Sequence, residues 1–193
     1  MKDILTEHLR GFDIKFKTKP GVFSEHGLDT GTRLLIDNFK IEDGTLIADL
    51  GSGTGVVGFI CAKLDPKGHI HLLDDHLRSV ELAKENIELN NLNNTEVFLS
   101  DLFSAVPDRT YHQIFSNPPQ QLGNGFLKEL ILQSCKHLKP KGRLWLVIKS
   151  NLKNPVVKML DQVFSNSQVI AQDKGHIILV AEKIKAKSDI LLS

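Results

Sequence analysis

Two short motifs in this chain of 193 residues carry groups that could do chemistry: Asp49-Leu50-Gly51-Ser52-Gly53-Thr54-Gly55 and Ser116-Asn117-Pro118-Pro119. Glycines at alternate positions let the backbone turn tightly and admit a ligand where a Cβ would stand. Two phosphate-binding patterns come close, and neither fits. A dinucleotide fingerprint needs its third glycine where Val56 stands, and a P-loop needs Lys-Ser/Thr after Gly58, where Phe59-Ile60 follow. An acidic residue two positions ahead of a G-x-G-x-G run suits a ligand with an amino group and no phosphate. A plain strand-to-helix turn is the structural alternative. Asp49, Gly51, Ser52, Gly53 and Gly55 are the candidate ligand contacts.

The second motif offers two acceptors, the side-chain carbonyl of Asn117 and the main-chain carbonyl of Pro118. Together they can take the two hydrogens of a planar amino group and fix its nitrogen, a gain in orientation. The consecutive prolines Pro118 and Pro119 end a strand and stiffen the chain. A strand-ending turn is the bland reading. Between the motifs, Asp74 ends a second strand at the spacing of the acid that takes ribose hydroxyls in nucleoside-binding sheets. Its rival Asp75 suits a helix start. Asp101, after a third strand, can accept from an adenine amino group or serve as a turn or cap residue.

The elements that must position these residues alternate along the chain. Strands are predicted over 45–50, 69–73, 96–99, 112–115 and 144–148, with helices over 56–64, 77–89, 126–138 and 156–164 between and after them. Lys139-Pro140-Lys141-Gly142 breaks the third of these helices. Two late strands, 168–171 and 177–181, are separated by Gln172-Asp173-Lys174-Gly175. That gap is too short for a crossover helix, so the pair must be antiparallel. The expectation is one α/β domain over 1–193. Its core spans 45–193, and residues 1–44 form an N-terminal segment laid over the active site, with a turn at Lys19-Pro20-Gly21 and a short helix near 31–39.

Composition bounds the rest. With 24 Lys and Arg against 23 Asp and Glu, the net charge of +1 implies no nucleic-acid partner by itself. Basic residues gather at Lys15, Lys17 and Lys19, at Lys139, Lys141 and Arg143, and at Lys183, Lys185 and Lys187. Lys149 and Lys153 follow the fifth strand of the core, at the edge where the motifs lie. No apolar run approaches the ~18 residues of a membrane span, and no signal-peptide core follows Met1, so a cytoplasmic protein is expected. Cys61 and Cys135 have no metal spacing and read as reduced core thiols. The eight histidines show no zinc pattern, so no metal is expected. Trp145 and Phe59 read as core.

The glycine loop and Asn-Pro-Pro together resemble the class I S-adenosylmethionine-dependent amino-methyltransferases. Lys19-Pro20-Gly21-Val22-Phe23-Ser24 and Leu28-Asp29-x-Gly31-Thr32-x-Leu34-Leu35 narrow the resemblance to the small-domain enzymes that modify guanine N2 in small-subunit ribosomal RNA. The similarity runs from about residue 16 to 183. It implies a Rossmann-like, seven-stranded, mostly parallel sheet of order 3-2-1-4-5-7-6, strand 7 antiparallel, with helices on both faces. It also implies S-adenosylmethionine as cofactor and a flipped-out base as substrate. Asp49, Gly51, Gly53 and Gly55 would line the methionine end of the cofactor, with Ser52 and Asn117 also touching it. Asp74 would bind ribose, Asp101 adenine, and Asn117 with Pro118 the target amine, while 21–24 packs over the pocket. One departure is Gln120, followed by Gln121, where related enzymes carry an aromatic residue that stacks on the base; Phe23 or Phe126 could supply that face. Protein glutamine N5 and adenine N6 are the alternative acceptors. A methyltransferase-like binding module without turnover is the non-enzyme alternative.

Overall fold

Runs that are apolar on both faces form central strands, and joining parallel neighbours takes a crossover helix. The computed structural model describes residues 4–18, 27–119 and 123–184. Its elements are β1 (Ile4–Leu9), β2 (Phe12–Lys17), α1 (Thr30–Asn38), β3 (Leu46–Leu50), α2 (Val56–Leu64), β4 (His69–Asp74), α3 (Leu77–Leu89), β5 (Thr95–Leu99), β6 (Tyr111–Ser116), α4 (Gly123–His137), β7 (Leu138–Lys149), α5 (Lys153–Phe164), β8 (Gln168–Asp173) and β9 (His176–Glu182). A single 3-10 turn, Ser150–Leu152, precedes α5. Seven strands form one sheet in the order β5-β4-β3-β6-β7-β9-β8. β3 to β7 are parallel, and β9 runs antiparallel to both β7 and β8. Counted from β3 this is the expected order, 3-2-1-4-5-7-6, with its antiparallel seventh strand.

Apolar side chains fill both faces of the sheet. On one, Leu35 and Ile36 of α1 and Phe59 and Ile60 of α2 pack with Phe115 and Trp145. On the other, Leu127 and Ile131 of α4 and Val156 and Leu160 of α5 pack with Ile114 and Leu146. Trp145 and Phe59 are core as expected, and Cys61 and Cys135 are buried free thiols.

Two local features differ from the expectations drawn on sequence. Lys139-Pro140-Lys141-Gly142 does end α4, but it lies within β7. Pairing jumps from Tyr111–Leu138 to Gln113–Arg143, so the four residues bulge out, with Lys141 at φ 66°. The second feature is the hairpin β1–β2, in an N-terminal segment for which only a turn and a short helix were expected. Its two-residue turn, Arg10-Gly11, has φ of 52° and 85°, the positive pair that a primed hairpin turn demands. The Arg10 guanidinium donates to the carbonyls of Ile36 and Phe39, both at 3.0 Å, which docks the turn on the end of α1.

The outer edge of β2 is satisfied by two asparagines one turn apart, Asn86 on α3 and Asn90 at its C-cap. Asn90 Oδ1 accepts from Lys15 N at 3.0 Å, and Asn86 Oδ1 from Lys17 N at 2.7 Å. Asn86 Nδ2 donates to Lys17 O at 3.2 Å and to Thr54 O at 3.1 Å, tying the hairpin to the glycine loop. Asn86 is fully buried. Asn86→Ala strands these backbone groups, so a loss of about 2–4 kcal/mol is expected in urea unfolding. A loss under about 0.5 kcal/mol would show that the hairpin is held by its apolar face alone.

Candidate active site

The five parallel strands end at one edge, and both motifs lie there. Gly51 N and Ser52 N donate to Leu73 O at 2.8 and 3.2 Å, so the loop folds over the end of β4. Gly51, Gly53 and Gly55 have φ of 72°, 56° and 93°. At Gly55 the restriction is double, because a Cβ would also lie 2.4 Å from Phe59 Cζ. A Cβ at Gly51 or Gly53 would meet nothing within 4 Å, so these two face open space.

Asp49 stands beneath the loop. It is 3% exposed, and its Oδ2 accepts from Gly58 N at 2.9 Å. Burial pushes its carboxyl up to about 7; the Gly58 N–H pulls the other way, and the charge of Asp74 adds to the rise. Asp74 is buried and turned inward, whereas the Asp75 side chain is 74% exposed. Asp74 Oδ2 accepts from Gly53 N at 2.7 Å and Oδ1 from His76 N at 2.9 Å. Its first role is therefore to shape the loop, and each oxygen keeps a further lone pair. Asp101 lies beside it, since Ser100 N donates to Asp74 O at 2.8 Å. The Asp101 side chain is exposed, and its main-chain carbonyl closes a turn with Ser104 N at 3.0 Å.

Asn117 is carried in by β6. Ser116 Oγ, fully buried, donates to Leu50 O at 2.8 Å and pins the end of β6 to the end of β3. The next residue then falls beside the glycine loop. Asn117 shares an open cleft with Asp49, Gly51, Ser52 and Gly53, walled by Leu28, Thr32, Thr54, Val56 and Val57. Asp74 meets this cleft through its bond to Gly53, and Asp101 does not line it. Pro118 is buried and Pro119 exposed.

Asp29 and Thr32 stand in a sequence motif that gave them no role. Asn117 Nδ2 donates to Thr32 Oγ1 at 2.9 Å and to Asp29 Oδ1 at 3.2 Å. Their signal was a helix-start pattern, Asp-x-Gly-Thr, which states a cap and not a long-range partner. Phe126 packs on α4 against the core of the second face. Phe23, Gln120, Gln121, the turn at Lys19-Pro20-Gly21 and the cover segment 21–24 lie outside the described residues.

The basic groups separate in space. Lys139, Lys141, Arg143 and Lys183 gather at the opposite end of the sheet, where β7 starts and β9 ends, and Arg143 pairs with Glu182 at 3.0 Å. Lys17 pairs with Glu85 at 3.0 Å. Lys149 and Lys153 lie at the site end, joined by exposed Lys174 in the β8–β9 turn, which carried no signal in the sequence. His69 pairs with Glu96 at 2.8 Å, and His71 Nδ1 meets the Tyr111 hydroxyl at 2.9 Å. Among the described residues, no helix is long and apolar enough to cross a membrane.

A parallel sheet with an antiparallel strand inserted next to its edge, a glycine loop after its first strand and Asn-Pro-Pro after its fourth defines a Rossmann-like methyltransferase, a class whose cofactor is S-adenosylmethionine. The chain belongs to the small methyltransferase domain family, whose model matches residues 13–180. The Bacillus subtilis protein YbxB, itself described as uncharacterized, is 37% identical over 181 residues, covering 91% of this chain and 89% of that protein. Ribosomal RNA small subunit methyltransferase C of Vibrio cholerae is 33% identical over 178 residues, 90% of this chain. The Haemophilus influenzae protein of that name is 38% identical over 157 residues, 79% of this chain. The chain spans about half the length of these two relatives, 51% and 46%. A Thermus thermophilus 16S rRNA N2 methyltransferase (RsmC), in complex with AdoMet and guanosine, matches with a TM-score of 0.85 at 24% identity, over 94% of this chain and 50% of that one. A Pyrococcus furiosus methyltransferase matches at 0.71 and 22%, over 91% of each chain. These two share the fold.

Proposed function

We propose that this chain transfers a methyl group from S-adenosylmethionine to the exocyclic N2 of a guanine in ribosomal RNA. The observation that carries this reading is a single cleft holding both the glycine loop and Asn117. The cleft suits the cofactor. Gly51 and Gly53 present backbone with nothing where a Cβ would stand, and buried Ser52 Oγ has no hydrogen-bond partner among the described residues. Asp49 offers a buried carboxyl to an ammonium group, and Asp74 has lone pairs left for ribose hydroxyls. Asp101, exposed next to Asp74, is assigned to the adenine side.

When bound, S-adenosylmethionine supplies a methyl group on a positively charged sulfur, already activated for attack by a nitrogen lone pair. Asp49 neutralises and anchors the charged amino end. Asn117 Oδ1, with the main-chain carbonyl of Pro118, accepts the amino hydrogens of the acceptor and aims its lone pair, a contribution of orientation. Pro119 stiffens that turn. The proton that the nitrogen sheds passes to water. The names of the ribosomal relatives support RNA over protein, and a base must leave its stack to reach such a cleft. Lys149, Lys153 and Lys174 form the rim for phosphates. An enzyme acting on ribosomal RNA works in the cytoplasm.

The test is labelled-methyl transfer to ribosomal RNA from cells lacking this protein, followed by nucleoside mass spectrometry. N2-methylguanosine is expected. Label in N6-methyladenosine or in a protein glutamine would replace the substrate assignment and leave the fold intact. In a companion binding titration, neutralising Lys149 and Lys153 should flatten the salt dependence of RNA affinity by about one unit for each phosphate that is no longer neutralised. An unchanged slope would remove them from the RNA path.

A further inference from the structure

The orientation of Asn117 is imposed from outside its own motif. Its Nδ2 lies 3.2 Å from Asp29 Oδ1 and 2.9 Å from Thr32 Oγ1. A carboxylate can only accept, so the edge of the amide that faces Asp29 must be NH2, which leaves Oδ1 as the edge turned away. Asp29 and Thr32 sit 88 and 85 residues from Asn117 in sequence, at the start of α1.

Asp29 is also the N-cap of α1, its Oδ1 accepting from Gly31 N at 2.9 Å and Thr32 N at 3.1 Å. A cap alone does not need a charge, because serine or asparagine serves as well. Here the carboxylate carries a cost that a neutral cap avoids: Oδ2 is buried with no hydrogen-bond partner among the described residues. Among the described residues the carboxylate is engaged only through Oδ1, by Gly31 N, Thr32 N and the Asn117 amide, and the amide is the partner that a cap does not require. Gly31 permits the arrangement by close approach. A Cβ there would lie 2.9 Å from Val147 Cγ1, 3.1 Å from His176 Cδ2 and 3.2 Å from Asp29 Oδ1.

We infer that Asp29 and Thr32 are positioning residues for methyl transfer, which lock the Asn117 amide with Oδ1 toward the acceptor nitrogen and polarise it. Hydrogen bonds in a chain strengthen one another, so an amide whose NH2 donates to a carboxylate carries more negative charge on its oxygen. That oxygen then favours the positive charge that grows on the acceptor nitrogen as it is methylated. The inference rests on the assignment of Asn117 to the acceptor, whichever base or side chain supplies the nitrogen.

Asp29→Ser keeps a cap but is too short to reach Asn117, and Thr32→Val removes Oγ1 with little change in shape. For each, kcat is expected to fall about tenfold or more, with cofactor Kd and thermal midpoint near those of the parent. In an Asn117→Ala background, Asp29→Ser should cost nothing further, since it acts through the missing amide. Independently of turnover, the side-chain NH2 protons of Asn117, followed by NMR with labelled asparagine, should be dispersed in the parent and converge toward solvent values in Asp29→Ser. Unchanged kcat and unchanged NH2 signals in both variants would overturn the inference. So would a loss of kcat matched by equal losses of cofactor affinity and stability. Full turnover in Asn117→Ala would instead overturn the assignment of Asn117 itself, and this inference with it. An inactive Asn117→Ala beside fully active Asp29→Ser and Thr32→Val would sink the inference alone.

Discussion

Asn117→Ala is expected to bind S-adenosylmethionine within about threefold of the parent and to lose turnover by roughly a hundredfold or more, the scale of a misplaced reacting group. The cofactor is assigned to the loop after β3, whose folding rests on Leu73 O and Asp74 and not on Asn117. The amide is held by Asp29 and Thr32 and meets the loop only across the cleft. On the proposed assignment, truncation removes an acceptor aimed at the substrate and leaves the cofactor wall standing. Calorimetry with the demethylated cofactor gives the affinity, and single-turnover methyl transfer gives the rate. Parallel losses in both would show that Asn117 belongs to the cofactor; equal rates would remove it from the reaction.

The second large effect is a pH dependence of cofactor affinity. With its carboxyl pushed up to about 7 by burial, Asp49 holds its proton in the folded protein at mildly acidic pH. An ammonium ligand needs the charged form, so below about 7 binding must also expel a proton. Affinity is then expected to fall by up to about tenfold per pH unit below neutrality and to level off above it. Below pH 7, calorimetry in buffers of different ionisation heat should register proton release on binding. Asp49→Asn should bind weakly at every pH, with no release. An affinity flat between pH 6 and 8 in the parent would take Asp49 away from the amino group. The same residue has a stability signature of defined sign. The unfolded chain gives up this proton near 3.8 and the folded chain near 7, so the folded state binds the proton more tightly. Stability contributed by Asp49 therefore falls as pH rises from about 4 to about 7 and is constant above that. Asp49→Asn removes that slope.

What the sequence determined by itself was everything governed by local pattern. Alternating buried strands and helices with a final gap too short for a crossover dictate a parallel sheet with an antiparallel end. Helices Val56–Leu64 and Leu77–Leu89 fall at the predicted bounds, because apolar periodicity is a local property. The glycine loop and Asn-Pro-Pro were legible for the same reason: each needs its residues contiguous. The tertiary structure decided what contiguous text cannot carry. The hairpin β1–β2 was missed because Arg-Gly is a weak turn signal, and the asparagines that satisfy its outer edge, Asn86 and Asn90, lie about 70 residues away. The place of Lys149 and Lys153 at the site end was legible from strand direction, but only the β8–β9 hairpin brings Lys174 to that end. Asp74 was expected as a ligand residue and is first a brace for Gly53, since only folding brings β4 under the loop. The orientation of Asn117 was invisible altogether. An amide reads the same in either orientation along a sequence, and its direction is set only when α1 and the end of β6 meet, where a carboxylate that cannot donate faces its nitrogen.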